Sequence, residues 1–181
     1  MKNQVKQKFC GGFTLLEIMV VVVISLVVVM FSVPMYKKAQ YKNHYLAAQG
    51  VLLDVGNGVR MFKANYPDYT FPTETAYCNI TANKANSSAT PPTSCSGIVG
   101  WLMTNKYINQ IPFAQDNISN RYRGYFFRID LNATGDIACC TNASNANAIA
   151  CMARLSSNTG GTDNNTPTCA WITQTGEFAH N

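Results

Sequence analysis

Side chains that usually carry catalysis are sparse in this chain of 181 residues. There are only two histidines, His44 and His180, and neither lies in a recognisable catalytic or metal-binding motif. The nine acidic residues are scattered, so no pair of carboxylates suited to acid–base chemistry stands out. No C-x-x-C pair or Cys/His cluster is present. The sequence therefore predicts neither an enzyme nor a bound cofactor or metal.

Charge is also scarce in a long apolar segment near the N-terminus, residues 13–33. About 20 helical residues, each rising roughly 1.5 Å, cross the hydrocarbon core of a bilayer. The segment is therefore long enough to span a membrane as a helix. The rest of the chain is polar and rich in Asn, Thr, Ser and Ala, which indicates one anchor and one exported head. The polar side chains of the segment are Thr14, Glu17, Ser25 and Ser32.

The flanks of the segment indicate its orientation. Lys2, Lys6 and Lys8 precede it and no acid does, so the positive-inside tendency places the N-terminus in the cytoplasm. A secretory signal would end in a small-x-small cleavage site, but residues 34–38 are PMYKK. A lipoprotein signal needs a cysteine after the apolar run, whereas Cys10 precedes it. We therefore expect a retained anchor.

The stretch GGFTLLE resembles the processing site of type IV prepilins and the related pseudopilins. In that family a basic leader ends in Gly, a membrane peptidase cuts between this Gly and Phe, and the new terminal Phe is N-methylated. These features map onto Gly12, Phe13 and Glu17, and the resemblance covers about residues 8–36. Pro34 also lies where many pilins carry a proline.

The resemblance implies a structural subunit of a type IV pilus-like filament. Prepilin peptidase would process it in the bacterial inner membrane, where lipid surrounds it and its N-terminus is cytoplasmic. It would then polymerise with other pilin subunits on an inner-membrane assembly platform, into an extracellular pilus or a periplasmic pseudopilus. The alternatives are a pseudopilin of a type II secretion system and a DNA-binding minor pilin of an uptake pilus.

The expected fold is α+β, with a long N-terminal helix packed on a small antiparallel sheet. The predicted organisation is a leader at residues 1–12, a membrane and assembly helix at 13–35, its amphipathic continuation at 36–66, an αβ-loop region at 67–120, and the sheet with a C-terminal disulfide region at 121–181.

Glu17 has two interpretations. Thr14 and Glu17 fit the S/T-x-x-E capping box, and a carboxylate suits the positive end of a helix. A charge within a membrane is costly, however, and usually has a partner. The resemblance implies that partner: Glu17 of an incoming subunit meets the terminal amine of Phe13 on a subunit already in the filament.

Pro34 also has two interpretations. Proline donates no hydrogen bond, so it leaves the carbonyl of Met30 without its helical partner. The result is a static kink or, as the resemblance implies, a weak point where the helix can unwind.

An apolar stripe continues beyond Pro34 and predicts an amphipathic helix that ends at Tyr66-Pro67. Gly50, Gly56 and Gly58 interrupt it, each at a cost of about 1 kcal/mol relative to Ala. They mark close packing or a helix that breaks near Gly56, and we expect a continuous helix. The stripe is Tyr41, Tyr45, Ala48, Leu52, Val55, Val59 and Phe62.

The rest of the chain alternates between loop and strand patterns. Residues 68–100 resemble a loop because Thr, Ser, Asn and Pro dominate, and a short helix is predicted near Ile98–Thr104. The predicted strands are Tyr122–Leu131, Asp136–Thr141, Ala148–Arg154 and Cys169–Gln174.

Removal of the leader with Cys10 would leave six cysteines, an even number that favours disulfides in an exported head. A Cys78–Cys95 bond would close the αβ-loop and contribute about 3 kcal/mol. The adjacent Cys139 and Cys140 would point to opposite faces of a strand, so we expect them to take different partners. Those partners would be the remaining two cysteines, Cys151 and Cys169, in an order that the sequence leaves open.

The sequence contains residues suited to two further binding functions. Arg121, Arg123 and Arg128 lie among aromatic residues, a mixture that base stacking with phosphate contact would need. The net charge of +5 falls to about +2 without the three leader lysines, so we expect a sheet core there and no nucleic-acid partner. Asp116 and Asn117 offer oxygen ligands for calcium, but two residues do not make a site.

Overall fold

The computed structural model describes residues 14–69, 77–80, 86–112, 121–131, 148–154 and 169–180. The chain forms two compact units, Met1–Gln40 and Tyr41–Asn181. The elements are α1 (Leu15–Asn65), β1 (Cys78–Ile80), α2 (Cys95–Thr104), β2 (Tyr125–Ile129), β3 (Ala148–Arg154), β4 (Cys169–Thr173) and β5 (Phe178–His180).

The first unit contains the apolar part of α1. The most apolar 18-residue window of this helix has a mean hydropathy of 2.9, and none of that window is buried within the molecule. Ser25 and Ser32 donate their hydroxyl protons to the carbonyls of Val21 and Val28, both at 2.7 Å. Because these bonds satisfy the hydroxyls inside the helix, neither serine needs water. The helix is thus long and apolar enough to cross a membrane.

Pro34 lies inside α1, and the helix continues past it in one element of 51 residues. Its ring removes one backbone hydrogen bond, so the helix is locally weaker there. Whether the helix unwinds at Pro34 stays a prediction.

In the second unit α1 packs on the head through the predicted stripe. The helix is continuous through Gly56 and Gly58, both of which are buried. A Cβ on Gly56 would lie 2.6 Å from Cδ1 of Ile172, and one on Gly58 would overlap the carbonyl oxygen of Tyr107. The two glycines therefore mark close packing and not a helix end. The buried residues of the helix are Tyr45, Ala48, Leu52, Val55, Gly56, Gly58, Val59 and Phe62, whereas Tyr41 is half-exposed.

The five strands form one sheet in the order β1-β2-β3-β4-β5, and each neighbouring pair is antiparallel. In β2 the side chains of Tyr125, Phe127 and Ile129 are buried and join the core, while Phe126 and Arg128 are half-buried. The helix and sheet together make an α+β head, as the sequence predicts.

Three elements differ from the sequence-based expectations. Residues 78–80, expected to lie in a loop, form β1, because they pair with residues 127–129 of β2. The final strand β5 was not predicted. The helix α2 begins at Cys95, earlier than expected, because Ser94 caps it by accepting a 3.3 Å hydrogen bond from the amide of Gly97.

The strand predicted from Tyr122 is also shorter, since β2 begins at Tyr125. Tyr122 and Tyr125 exchange two backbone hydrogen bonds across a tight turn, with φ of +50° at Arg123 and +86° at Gly124. Positive φ at both central positions is a type I′ turn, and it interrupts the strand. Two predictions agree closely with the structure, β3 at Ala148–Arg154 and β4 one residue short of Gln174. The predicted strand Asp136–Thr141 lies outside the described residues.

Candidate functional site

The N-terminus of α1 has a reciprocal pair of side-chain hydrogen bonds. The amide of Glu17 donates to Oγ1 of Thr14 at 3.3 Å, and the amide of Thr14 donates to Oε2 of Glu17 at 3.4 Å. This is the geometry of a capping box, in which the two side chains accept hydrogen bonds from amides at the start of the helix. The hydrogen bonds that a capping role of Glu17 requires are thus present. Gly12 and Phe13 lie outside the described residues.

The surface around Glu17 is apolar on every side of the helix. The large apolar side chains from Leu15 to Met35 are 48–78% exposed, and Glu17 is the one ionisable residue among them. A helix that is apolar all round belongs in a membrane or in the core of a larger assembly. The site therefore consists of a single carboxylate at the start of a helix that needs apolar surroundings.

Comparison with known proteins finds a family that matches this N-terminal segment. A family described as the prokaryotic N-terminal methylation motif matches residues 7–33. The chain carries the class III leader of type IV pilins. The match spans Lys8, the Gly12–Phe13 junction, Glu17 and the apolar run. Neither a search of curated proteins nor a search of solved structures found a match.

A leader of this kind is typical of prepilins of the type IV pilin and pseudopilin kind. It implies processing by prepilin peptidase and assembly with other pilins. The leader and the apolar helix also fit a prepilin that is anchored in the membrane before assembly.

The head contains the expected disulfide between Cys78 and Cys95, with the Cα atoms 5.2 Å apart. It joins β1 to the first residue of α2. Cys151 and Cys169 are also disulfide-bonded. Cys139 and Cys140, their predicted partners, lie outside the described residues.

An aromatic cluster packs the end of α1 against α2. The rings of Phe62 and Trp101 have centroids 5.9 Å apart, and the Phe62 and Tyr107 centroids are 5.8 Å apart, both pairs edge to face. Trp101 Nε1 also donates to the carbonyl of Ser88 at 2.8 Å. The disulfide and this cluster together hold the described part of the loop region on the helix.

The arginine-rich segment of the head is divided by the turn at Arg123. Arg128 lies on the sheet, with its guanidinium carbon 4.5 Å from the ring centroid of Tyr77 and 4.9 Å from that of Phe126. Its Nε donates to Oδ1 of Asn79 at 2.9 Å. Through these contacts the Arg128 side chain packs on the face of the sheet. The turn leaves Arg121 and Arg123 outside β2, which begins at Tyr125, so they do not lie on the same strand as Arg128.

The described residues that could bind a metal do not cluster. Within the described ranges, no group of three His, Cys, Asp or Glu residues could hold a metal ion. His44 is half-buried on α1 and His180 is exposed at the end of β5. Asp116 and Asn117 lie outside the described residues.

Proposed function

We propose that this chain is a structural subunit of a type IV pilus-like filament, cleaved between Gly12 and Phe13, N-methylated at Phe13, and polymerised through α1. One observation carries the proposal: Glu17 is the single carboxylate of the exposed apolar part of α1, residues 15–35, which directly follows the methylation leader. A surface of this kind is stable in lipid, and it is equally stable among copies of the same helix.

Glu17 has a different partner before and after cleavage in this proposal. In the precursor its carboxylate accepts from the amide of Thr14. Cleavage creates an amine on Phe13, and in the filament the Glu17 carboxylate of an incoming subunit pairs with the amine of its neighbour. The pairing offsets the cost of a charge in apolar surroundings, which a lone carboxylate would bear in full. Thr14 contributes by holding the first turn.

Pro34 contributes flexibility in the same proposal. The missing hydrogen bond to Met30 makes this turn the weakest of the apolar helix, so it is where the helix can unwind as subunits pack.

Substitution by glutamine separates the two roles of Glu17. Glutamine serves in a capping box as glutamate does, but it carries no charge. We therefore expect Glu17→Gln to be inserted and cleaved normally and to form no filaments, like Glu17→Ala. Cleavage is measured by N-terminal sequencing and assembly by electron microscopy of sheared filaments. Ser25→Ala is the matched control, since its hydroxyl bonds only to its own helix, and it should assemble normally.

Normal filaments from Glu17→Gln would show that Glu17 only caps the helix and does not couple subunits.

Immunogold labelling tests whether the chain is a major pilin, a minor pilin or a pseudopilin. Uniform labelling of surface filaments indicates a major pilin, and sparse or tip labelling indicates a minor one. An absence of surface labelling would favour a secretion pseudopilus. We favour a surface pilus because the head is disulfide-bonded.

A further inference from the structure

The second unit has a corner rich in arginine and tyrosine where its part of α1 begins. The guanidinium of Arg154, at the end of β3, lies 4.9 Å from the ring centroid of Tyr41. Arg154 is opposite Tyr125 in the sheet register, and the Tyr125 and Tyr45 rings have centroids 6.2 Å apart. Arg123 occupies the turn that leads into Tyr125. We call Tyr41, Tyr45, Arg123, Tyr125 and Arg154 the arginine–tyrosine corner.

We propose that this corner binds the phosphate of an anionic phospholipid headgroup while the precursor is anchored in the membrane. The proposal rests on membrane anchoring and not on filament assembly. Guanidinium groups match phosphate oxygens in a bidentate fashion, and tyrosine suits the membrane–water interface because it has an apolar ring and a polar tip.

Two buried donors at the corner support the proposal. Among the described residues, Tyr45 Oη and Arg123 Nε are the buried side-chain polar atoms without a hydrogen-bond partner. Tyr45 is only 9% exposed. A buried donor without a partner costs free energy, and such groups commonly serve a ligand. Burial raises the pKa of Tyr45, so its hydroxyl keeps its proton as a neutral donor.

The backbone of Arg123 gives a second, independent indication. Its φ of +50° is in the left-handed region, at a turn position where asparagine or glycine is usual. An arginine there is unfavourable for the fold, and backbone strain of this kind concentrates at functional sites. Arg123 also lies 5.7 Å from the ring centroid of Tyr122, which limits its orientations.

Position along the chain favours a lipid over a soluble anion. Tyr41 follows Val33, the last residue of the apolar segment, by eight residues in the sequence. Lys37, Lys38 and Lys42 lie in the same stretch, and no acidic residue occurs from Pro34 to Leu53. Cations close to the end of a membrane span attract anionic lipids.

The test uses the full chain in neutral detergent micelles, with bound lipid counted by native mass spectrometry. Phosphatidylglycerol should be retained about tenfold better than phosphatidylcholine, because charge-assisted hydrogen bonds need the anionic headgroup. The Arg123→Asn/Arg154→Gln double variant should lose about tenfold of this retention. Asparagine suits positive φ, so the turn is preserved, and thermal unfolding checks the fold. Tyr45→Phe should lose less, about threefold, because a neutral donor is weaker.

Arg60→Gln is the matched control, because Arg60 is an exposed arginine of the same helix and lies 19 residues beyond Tyr41. It should retain phosphatidylglycerol as the unaltered chain does. Equal retention of the two lipids, or full retention by the folded double variant, would overturn the proposal. Displacement of the lipid by millimolar inorganic phosphate would reassign the corner to a soluble anion. Glu17→Gln should bind lipid normally, so failure of the filament proposal would be seen separately.

Discussion

Gly58 of α1 packs directly against the backbone carbonyl of Tyr107. A Cβ at position 58 would overlap that oxygen and also the side chain of Ile108. The contact brings α1 and the segment after α2 closer together than any residue with a side chain would permit.

Gly58→Ala should therefore destabilise the head by about 1–3 kcal/mol, the usual cost of overpacking. Gly50→Ala is the matched variant, since its Cβ would meet nothing within 4 Å. It should leave stability unchanged or raise it by up to about 1 kcal/mol through better helix propensity. Thermal unfolding of the full chain in detergent measures both. Equal effects of the two changes would show that the contact does not matter.

Asp54 holds the same segment one turn earlier. Its carboxylate accepts hydrogen bonds from the backbone amide and the side-chain amide of Asn109, both at 3.0 Å. Asp54→Ala should lower the unfolding free energy by about 1–3 kcal/mol, because two donors lose a charged acceptor. Asn57→Ala, an exposed change on the same helix, should stay within about 0.5 kcal/mol. Denaturant titration distinguishes the two, and matching midpoints would contradict the expectation.

The disulfides can be counted directly. If all six cysteines of the processed chain pair, reduction should raise its intact mass by about 6 Da. Cys78→Ala/Cys95→Ala should lower the free energy of unfolding by about 3 kcal/mol, because the bond spans a separation of 17 residues. Six free thiols before reduction would refute all three bonds, including those predicted to join Cys139 and Cys140 to Cys151 and Cys169.

The head should lose stability at alkaline pH. Burial raises the pKa of Tyr45, Tyr69 and Tyr125 above 10.0. In the unfolded chain these phenols ionise near pH 10, whereas in the folded chain they stay protonated. The unfolded state then binds fewer protons, so stability falls as pH rises past about 10. Phenolate absorbance against pH should show a late-titrating group of tyrosines, and titration of every tyrosine near pH 10 would contradict this.

Features with a distinct local sequence pattern were predictable. The capping box of Thr14 and Glu17 is a four-residue pattern, and its hydrogen bonds are present. The strand Ala148–Arg154 has an apolar run with clear ends. The turn at Arg123 was missed because arginine stands at its first central position, where asparagine is usual, and Gly124 at the second position is only half of the type I′ pattern.

The sequence by itself determined the leader, the anchor, the amphipathic stripe and the longer strands, because each depends on residue order over a short window. The tertiary structure decided what local order cannot encode. Strands β1 and β5 have three residues each, too few to show a pattern, and they exist because neighbouring strands supply their hydrogen bonds. In the same way, Gly58 marks a contact and not a helix end only because Tyr107 lies against it.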